Sequence, residues 1–416
     1  MKFRQREYMQ MLRKTIAIWV IFGVMIGQSL VADDNTADNP AKKIIEEATK
    51  NGNKKKFDDA VAGFAKALAI DPGNPLIELG FAIAKDAQSE TLDNNAAKEI
   101  FKAIQEFEKG KPDKAVKALD KGIKKQKDYS NGWYLRAFFN ETQSKTDDAL
   151  ADYAKILEHN PADQTALLRR AQLLERKMEN GAAIDAYSKL LAIDPENAEA
   201  LARRGAIYEQ LGDQEKAFAD FEASLARRAD ADLAYHMGEI YLREQKYKPA
   251  ITYFTQHVQI DTGSVFGYLN RGVAYYESGK YNLAVDDFFD ALERNPRFTD
   301  AFYYRGMAYS ELKLYQEAIA DFEKVIEIDE NYAKAVYQRG RVQHLRGRRK
   351  SAIADYEKTL AIDATFANAA YFKALAYDEL NQNSAAKQAF EHYLAMVNNS
   401  NSEQAQYAKK RIRALK

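Results

Sequence analysis

The chain has no cysteine, little proline and glycine, and no net charge, and each shortage excludes a class of structure or partner. Without cysteine it forms no disulfide, thiolate metal site or lipid-modified N-terminal cysteine. Its 8 prolines and 20 glycines among 416 residues favour long regular elements over a many-turned β architecture. Its 61 basic and 61 acidic side chains balance, whereas a nucleic-acid binder usually has a basic surplus. We therefore expect no nucleic-acid partner.

Residues 1–32 have the pattern of a targeting segment. An apolar run at residues 15–27 follows five basic side chains, which are Lys2, Arg4, Arg6, Arg13 and Lys14. The run is shorter than the roughly 20 residues that span a bilayer, and it matches the core of a secretory signal peptide. We predict cleavage after Ala32 and a flexible linker at residues 33–40. The alternatives are a retained membrane anchor, which would associate the chain with a membrane, and a buried apolar helix.

The rest of the chain is one repeat. An alanine recurs at intervals of 55 residues once and then of 33 or 34 residues, and we call it the anchor alanine. The ten anchor alanines are Ala60, Ala115, Ala149, Ala183, Ala217, Ala250, Ala284, Ala318, Ala352 and Ala386.

The residues around each anchor alanine predict a pair of helices. Four residues later the side chain is aromatic in nine of the ten repeats, and eight residues later it is aliphatic. These offsets share one helix face. Twelve residues before the anchor stands alanine or glycine in every repeat, at the centre of an earlier amphipathic stretch. Small residues at both positions would let two antiparallel helices approach closely, with the aromatic ring filling the space beside them.

This pattern resembles the tetratricopeptide repeat family, whose repeat is 34 residues long. The segments GYLNRGVAYYESGKYNLA at 267–284 and AFYYRG at 301–306 are similar to the family pattern. The resemblance implies an all-α, right-handed superhelical solenoid of about ten stacked antiparallel helix pairs over residues 41–396. It also implies that the first helices line a concave groove in which partners bind.

Two departures from the repeat predict irregular structure. The step from Ala60 to Ala115 holds 21 extra residues, so we expect an additional helix near residues 75–95 and a change of curvature there. Residues 397–416 comprise a polar break followed by an amphipathic segment, which we expect to form a C-terminal capping helix.

Arginine and aspartate recur at fixed positions and predict a structural ladder. Arginine stands thirteen residues before six of the anchor alanines, and aspartate stands three residues after five of them. The two positions are equally far from the turn between the helices, so they should face each other within one repeat. The alternative is a track of arginines that binds anions.

One predicted second helix is rich in lysine. Its basic residues are Lys111, Lys114, Lys117, Lys121, Lys124, Lys125 and Lys127. A solvated outer face is the ordinary interpretation, and contact with anionic lipid or an acidic partner is the alternative.

No arrangement of residues indicates catalysis, a metal or a cofactor. The five histidines fall at unrelated positions in the repeat, with no i, i+4 pair of the kind that helical zinc sites use. No phosphate-binding glycine loop is present. We therefore expect a non-enzymatic protein without cofactors.

A row of tyrosines marks the candidate groove in the C-terminal half. Residues fifteen, fourteen, eleven and eight before the anchor alanine should form the open face of each first helix, and the candidate residues stand at the first two of these positions. They include Tyr235, His236, Asn270, Tyr303, Tyr304, Tyr337, Gln338 and Tyr371, with Arg169 and Arg203 at the same phase earlier in the chain. Tyrosine offers contact area and a polar tip to a bound peptide. The alternative is that these rings pack between adjacent first helices.

Two functions are compatible with these features. The first is a protein–protein interaction scaffold or adaptor, exported to the bacterial periplasm or cell envelope, that binds peptide segments of partner proteins. The second is a membrane-anchored receptor with a cytosolic solenoid, as in organelle import receptors, and an enzyme accessory subunit is a weaker third. The family's lysine-and-asparagine clamp for Hsp70 or Hsp90 tails has no counterpart at the corresponding positions, so we expect no binding of such tails.

Overall fold

The computed structural model describes residues 40–398 and 402–415, which form 22 helices and no strand. The predicted targeting segment lies outside these residues. Within them, no helix combines the length and apolarity needed to cross a membrane. The chain divides into two compact units, unit 1 up to Asp220 and unit 2 from Phe221.

The helices follow one another with short turns. Those that begin in unit 1 are α1 (Pro40–Asn53), α2 (Phe57–Ile70), α3 (Pro75–Gln88), α4 (Asn94–Glu108), α5 (Pro112–Lys125), α6 (Ser130–Thr142), α7 (Thr146–His159), α8 (Gln164–Arg176), α9 (Asn180–Ile193), α10 (Ala198–Gln210) and α11 (Gln214–Arg227). Those that begin in unit 2 are α12 (Ala231–Arg243), α13 (Tyr247–Ile260), α14 (Val265–Glu277), α15 (Tyr281–Arg294), α16 (Thr299–Glu311), α17 (Tyr315–Ile328), α18 (Ala333–Leu345), α19 (Arg349–Ile362), α20 (Ala367–Glu379), α21 (Asn383–Met396) and α22 (Glu403–Ala414).

Helices pair as the repeat predicts. In unit 2 each first helix packs on its own second helix, as α14 does on α15, and each second helix packs on the first helix of the next pair, as α15 does on α16. The predicted all-α repeat solenoid is confirmed.

Local sequence fixes where the helices begin and turn. Several first helices start at a polar cap, such as Asp163, Asn197 and Ser264, whose side chain accepts a hydrogen bond from a backbone N–H of the first turn. The residue five before each anchor alanine has φ between +58° and +81° in all ten repeats. This left-handed residue reverses the chain between the two helices of a pair.

Small residues allow the predicted close approach within each pair. A Cβ atom on Gly272 would lie 2.6 Å from the Phe288 ring, and one on Gly238 would lie 2.7 Å from the Phe254 ring. Both rings are completely buried. The prediction that an aromatic ring fills the space opposite a small residue is therefore confirmed.

Helix α3 occupies the place of the 21 extra residues. It packs on α2, α4 and α6, while α1 also contacts α4 directly. Asp86 of α3 accepts hydrogen bonds from the Tyr129 hydroxyl at 2.7 Å and from the Asn131 amide at 2.9 Å, at the start of α6. The change of curvature stays a prediction.

At the other end, α22 packs on α21. Ala405 and Ala408 of α22 are fully buried. Arg411 holds Asp378 of α20 through Nε and Nη2, at 2.7 and 2.5 Å.

Candidate partner-binding face of the first helices

The arginine–aspartate ladder is present and belongs to the scaffold. The shortest N–O distances of its five pairs are 2.5–2.8 Å, and the aspartate side chains are only 1–9% exposed. The pairs are Arg136–Asp152, Arg204–Asp220, Arg271–Asp287, Arg305–Asp321 and Arg339–Asp355. Because each of these arginines already holds a carboxylate, the structure favours the ladder over an anion-binding track.

The open face of the first helices can be placed within unit 2. Successive first helices contact one another there, from α12 to α20. Side chains eighteen, fourteen, eleven and seven residues before the anchor alanine are half-buried or exposed in all five pairs. At 100° per residue these positions lie within one arc of about 60°. We call these twenty residues the inner face of unit 2.

The inner face combines apolar side chains with carboxylates. Its apolar and aromatic residues are Phe266, Val273, Tyr304, Met307, Leu345, Phe372 and Leu375. Its acidic residues are Asp232, Glu239, Glu277, Asp300, Glu311 and Glu379, and its basic residues are Arg243, Lys334 and Arg341. The remaining four are His236, Asn270, Gln338 and Asn368.

The predicted tyrosine row lies at the edge of this face and packs within the scaffold. Tyr337 and Tyr371 are buried, whereas Tyr235 and Tyr303 are half-buried. Each ring lies against the aromatic ring that follows its own anchor alanine by four, with centroids 5.6–6.2 Å apart. The row therefore fills space between helices, as in the packing alternative, and it is not the centre of the open face.

The residues fourteen before the anchor lie on the inner face and also touch the preceding pair. The Tyr304 ring stacks on Phe288 at 6.0 Å, and the His236 ring meets Phe221 at 6.0 Å. Asn270 donates a hydrogen bond of 2.8 Å to the Tyr235 hydroxyl, so these two predicted residues are brought together. Gln338 is half-buried on the same face.

The two candidate arginines of unit 1 differ in what the structure shows of their contacts. Arg203 donates to Glu199 at 2.9 Å and forms an ion pair of 3.4 Å with Glu175. Arg169 is half-buried. Arg203 is thus engaged by carboxylates of its own unit.

The position eleven before the anchor alanine lies on the inner face, as the sequence predicts, although its residues are not among the selected candidates. Val273, Met307, Arg341 and Leu375 stand eleven before their anchor alanines. The Arg341 guanidinium lies 3.9 Å from the Phe372 ring centroid and donates to the Tyr337 hydroxyl at 3.2 Å. The recurrence of tyrosine favoured the position fifteen before the anchor alanine. The position eleven before it, where the residue type varies, contributes more to the accessible surface.

Negative charge dominates the inner face over α12, α14 and α16. Burial raises the pKa of the Glu239 carboxyl above its ordinary value, although His236 and Arg243 lower it. Burial likewise raises the pKa of Asp300, with Lys334 acting in the opposite direction. Both carboxylates would be stabilised by an added cation. Across the described ranges, no group of three or more potential ligands could hold a metal ion.

Family models match much of the chain. The tetratricopeptide repeat is matched at residues 141–198, 186–219, 231–262, 265–298 and 299–332. No curated protein matches the chain.

Several solved structures are similar. The C-terminal part of a TPR repeat-containing protein from Cytophaga hutchinsonii is 22% identical, with a TM-score of 0.47, and the match covers 58% of this chain and 98% of that one. YrrB, a TPR protein with an unusual peptide-binding site, is 24% identical at a TM-score of 0.40, covering 45% and 96%. Cut9 in its complex with Hcn1 is 18% identical at a TM-score of 0.40, covering 87% and 74%. On the phased repeats, the paired helices and the family matches, the chain belongs to the tetratricopeptide repeat family.

Proposed function

We propose that the chain is a non-enzymatic adaptor that binds a segment of a partner protein along the inner face of unit 2. Tetratricopeptide repeat proteins are generally non-enzymatic scaffolds for protein–protein interaction. The observation that supports this use of unit 2 is a set of apolar side chains left at least partly accessible on the inner face of the first helices α14, α16, α18 and α20.

The spacing of these side chains suits an extended segment. Packed helices lie about 8–10 Å apart, and an extended chain advances about 3.3 Å per residue. Every third residue of a bound segment would therefore meet the next first helix. Val273, Met307 and Leu375 would contact apolar side chains of the partner, and Phe266, whose side chain is 55% exposed, would lie at one edge.

The charge of the inner face indicates which partner segment it would favour. Glu239, Glu277, Asp300 and Glu311 lie on three first helices that carry only one basic side chain, Arg243, on this face. Two of these carboxylates have a raised pKa because of burial. Lysine or arginine in the partner would stabilise them in the ionised form. We propose a segment with basic side chains interspersed among apolar ones.

A random library of displayed twelve-residue peptides, selected on the full chain, tests this function. We expect selected peptides to be enriched in basic and apolar residues. The selected peptides should bind the Met307→Asp variant of the chain with much lower affinity. They should retain their affinity for the Phe289→Asp variant, because Phe289 is 53% exposed on the second helix α15 and lies off the inner face. Equal binding to both variants would contradict the proposed face.

We further propose that the chain is exported to the bacterial periplasm or cell envelope. Support comes from the basic start, the short apolar run at residues 15–27 and the absence of cysteine. The mature protein should begin near Asp33 in N-terminal sequencing. A cytosolic soluble protein that retains Met1 or Met11 would exclude export, and an intact N-terminus with a protease-accessible cytosolic solenoid would instead support the anchored receptor.

A further inference from the structure

Helix α5 of unit 1 has an outward face made of lysine. Lys114, Lys117, Lys121 and Lys124 are all exposed. At 100° per residue they fall within an arc of about 80°. The opposite side of the helix carries Ala115, Leu119 and Gly122, which are buried. We call these four side chains the lysine face; it extends about 15 Å along the helix axis.

The carboxylates that interrupt the lysine run in sequence are engaged by the next helix pair. Asp113 accepts a hydrogen bond of 3.0 Å from Lys145, and Asp120 accepts one of 2.6 Å from Arg136. In the described part of the chain, none of the four lysines lies within ion-pair distance of a carboxylate, while the nearby Lys125 lies 3.9 Å from Glu99. The four lysines of this face are therefore left without a paired carboxylate among the described residues, although Lys114 also acts electrostatically on Glu106.

We propose that the lysine face docks on the surface of a membrane that contains anionic phospholipid. Lysine is a compact, flexible point charge that does not need the paired geometry in which arginine binds a phosphate. Each basic side chain beside an anionic leaflet strengthens binding about fivefold. Helix α5 carries no aromatic side chain on which single-stranded bases could stack, so a lipid surface fits better than single-stranded nucleic acid.

The same chain carries a second feature directed to membranes. Cleavage after Ala32 would remove the apolar run at residues 15–27; in the alternative in which the run is retained, it would add an apolar anchor, and a basic patch together with one apolar anchor binds a membrane more firmly than either alone. Docking by the lysine face is independent of the peptide-binding function proposed for unit 2.

Vesicle co-sedimentation with the full chain tests the proposal. Binding to vesicles of phosphatidylcholine and phosphatidylglycerol, two to one, is compared with binding to pure phosphatidylcholine, because the difference isolates the contribution of lipid charge. The variant Lys114→Gln/Lys117→Gln/Lys121→Gln/Lys124→Gln should reduce this difference at least tenfold. Raising the salt concentration should reduce it in the unmodified chain as well.

A control with the same charge change separates the lysine face from net charge. Lys189→Gln/Lys248→Gln/Lys350→Gln/Lys387→Gln removes four exposed lysines that lie on four different helices, and it should retain most of the charge-dependent binding. Equal losses in the two quadruple variants would overturn the proposal. A lysine-face variant that loses affinity for duplex DNA but keeps its affinity for anionic vesicles would also overturn it, in favour of a nucleic-acid surface.

Discussion

The Arg305 guanidinium and the Asp321 carboxylate form two parallel hydrogen bonds, from Nε to Oδ2 and from Nη2 to Oδ1, each 2.8 Å long. They join α16 to α17. The side chains are only 16% and 7% exposed, so the pair is more buried than a surface ion pair and its loss should be more costly.

Replacing this arginine tests the ladder. We expect Arg305→Ala to lower the free energy of unfolding by about 3 kcal/mol, because it leaves the Asp321 carboxylate buried without its partner. The double variant Arg305→Met/Asp321→Leu should recover much of the loss, since no buried charge remains. Urea unfolding followed by circular dichroism measures both, with exposed Arg297→Ala as the control. A change no larger than that of the control would show that the ladder is not structural.

Two glycine-to-alanine substitutions should change the free energy of unfolding in opposite directions. Gly272→Ala should destabilise by about 1–3 kcal/mol, because the new methyl group would collide with the buried Phe288 ring. Gly181→Ala in α9 should stabilise by about 0.5–1 kcal/mol, since no atom lies within 4 Å of the added Cβ and alanine favours the helix. Thermal unfolding of the two variants compares them directly. If Gly272→Ala stabilised the chain as well, close helix approach would not require glycine there.

The tyrosine row should act on stability more than on binding. Tyr337 is 6% exposed and its ring contacts Tyr356 and Phe366, with centroids 6.0 and 4.9 Å away. We expect Tyr337→Ala to lower the free energy of unfolding by about 3 kcal/mol, because it leaves a cavity. Tyr337→Phe should lower it much less, because the ring is kept. Chemical unfolding gives both values. If Tyr337→Ala unfolded normally but lost affinity for a selected peptide, the row would be a binding surface after all.

Glu239 should make stability depend on pH. Burial raises the pKa of its carboxyl in the folded chain, so the folded state binds the proton more tightly than the unfolded state does. The contribution of this carboxyl group to the free energy of unfolding therefore falls as pH rises. The fall begins near the pKa of the unfolded chain, about 4.3, and ends above the raised pKa of the folded chain. Glu239→Gln should be more stable than the unmodified chain at pH 7, and the difference should shrink in acid. Unfolding experiments from acidic to neutral pH measure this difference, with the variant Glu293→Gln at an exposed position as the control.

The repeat in the sequence determined the helix pairs, their small contact residues and the arginine–aspartate ladder. These features follow from local periodicity, because residues four apart on a helix share a face whatever surrounds it. Ten copies of the repeat served as an internal comparison, so a position such as that of Gly272 stood out without any structure.

Tertiary structure decided which part of each first helix stays open. A first helix is covered by its own second helix and by the preceding pair, and periodicity alone does not say how wide each covered arc is. Tyr337 therefore proved buried, whereas Met307, at a position that varies between repeats, is on the open face. The partners of Asp113 and Asp120 were likewise hidden from sequence analysis, because Lys145 and Arg136 belong to the next pair and meet them only when the helices stack.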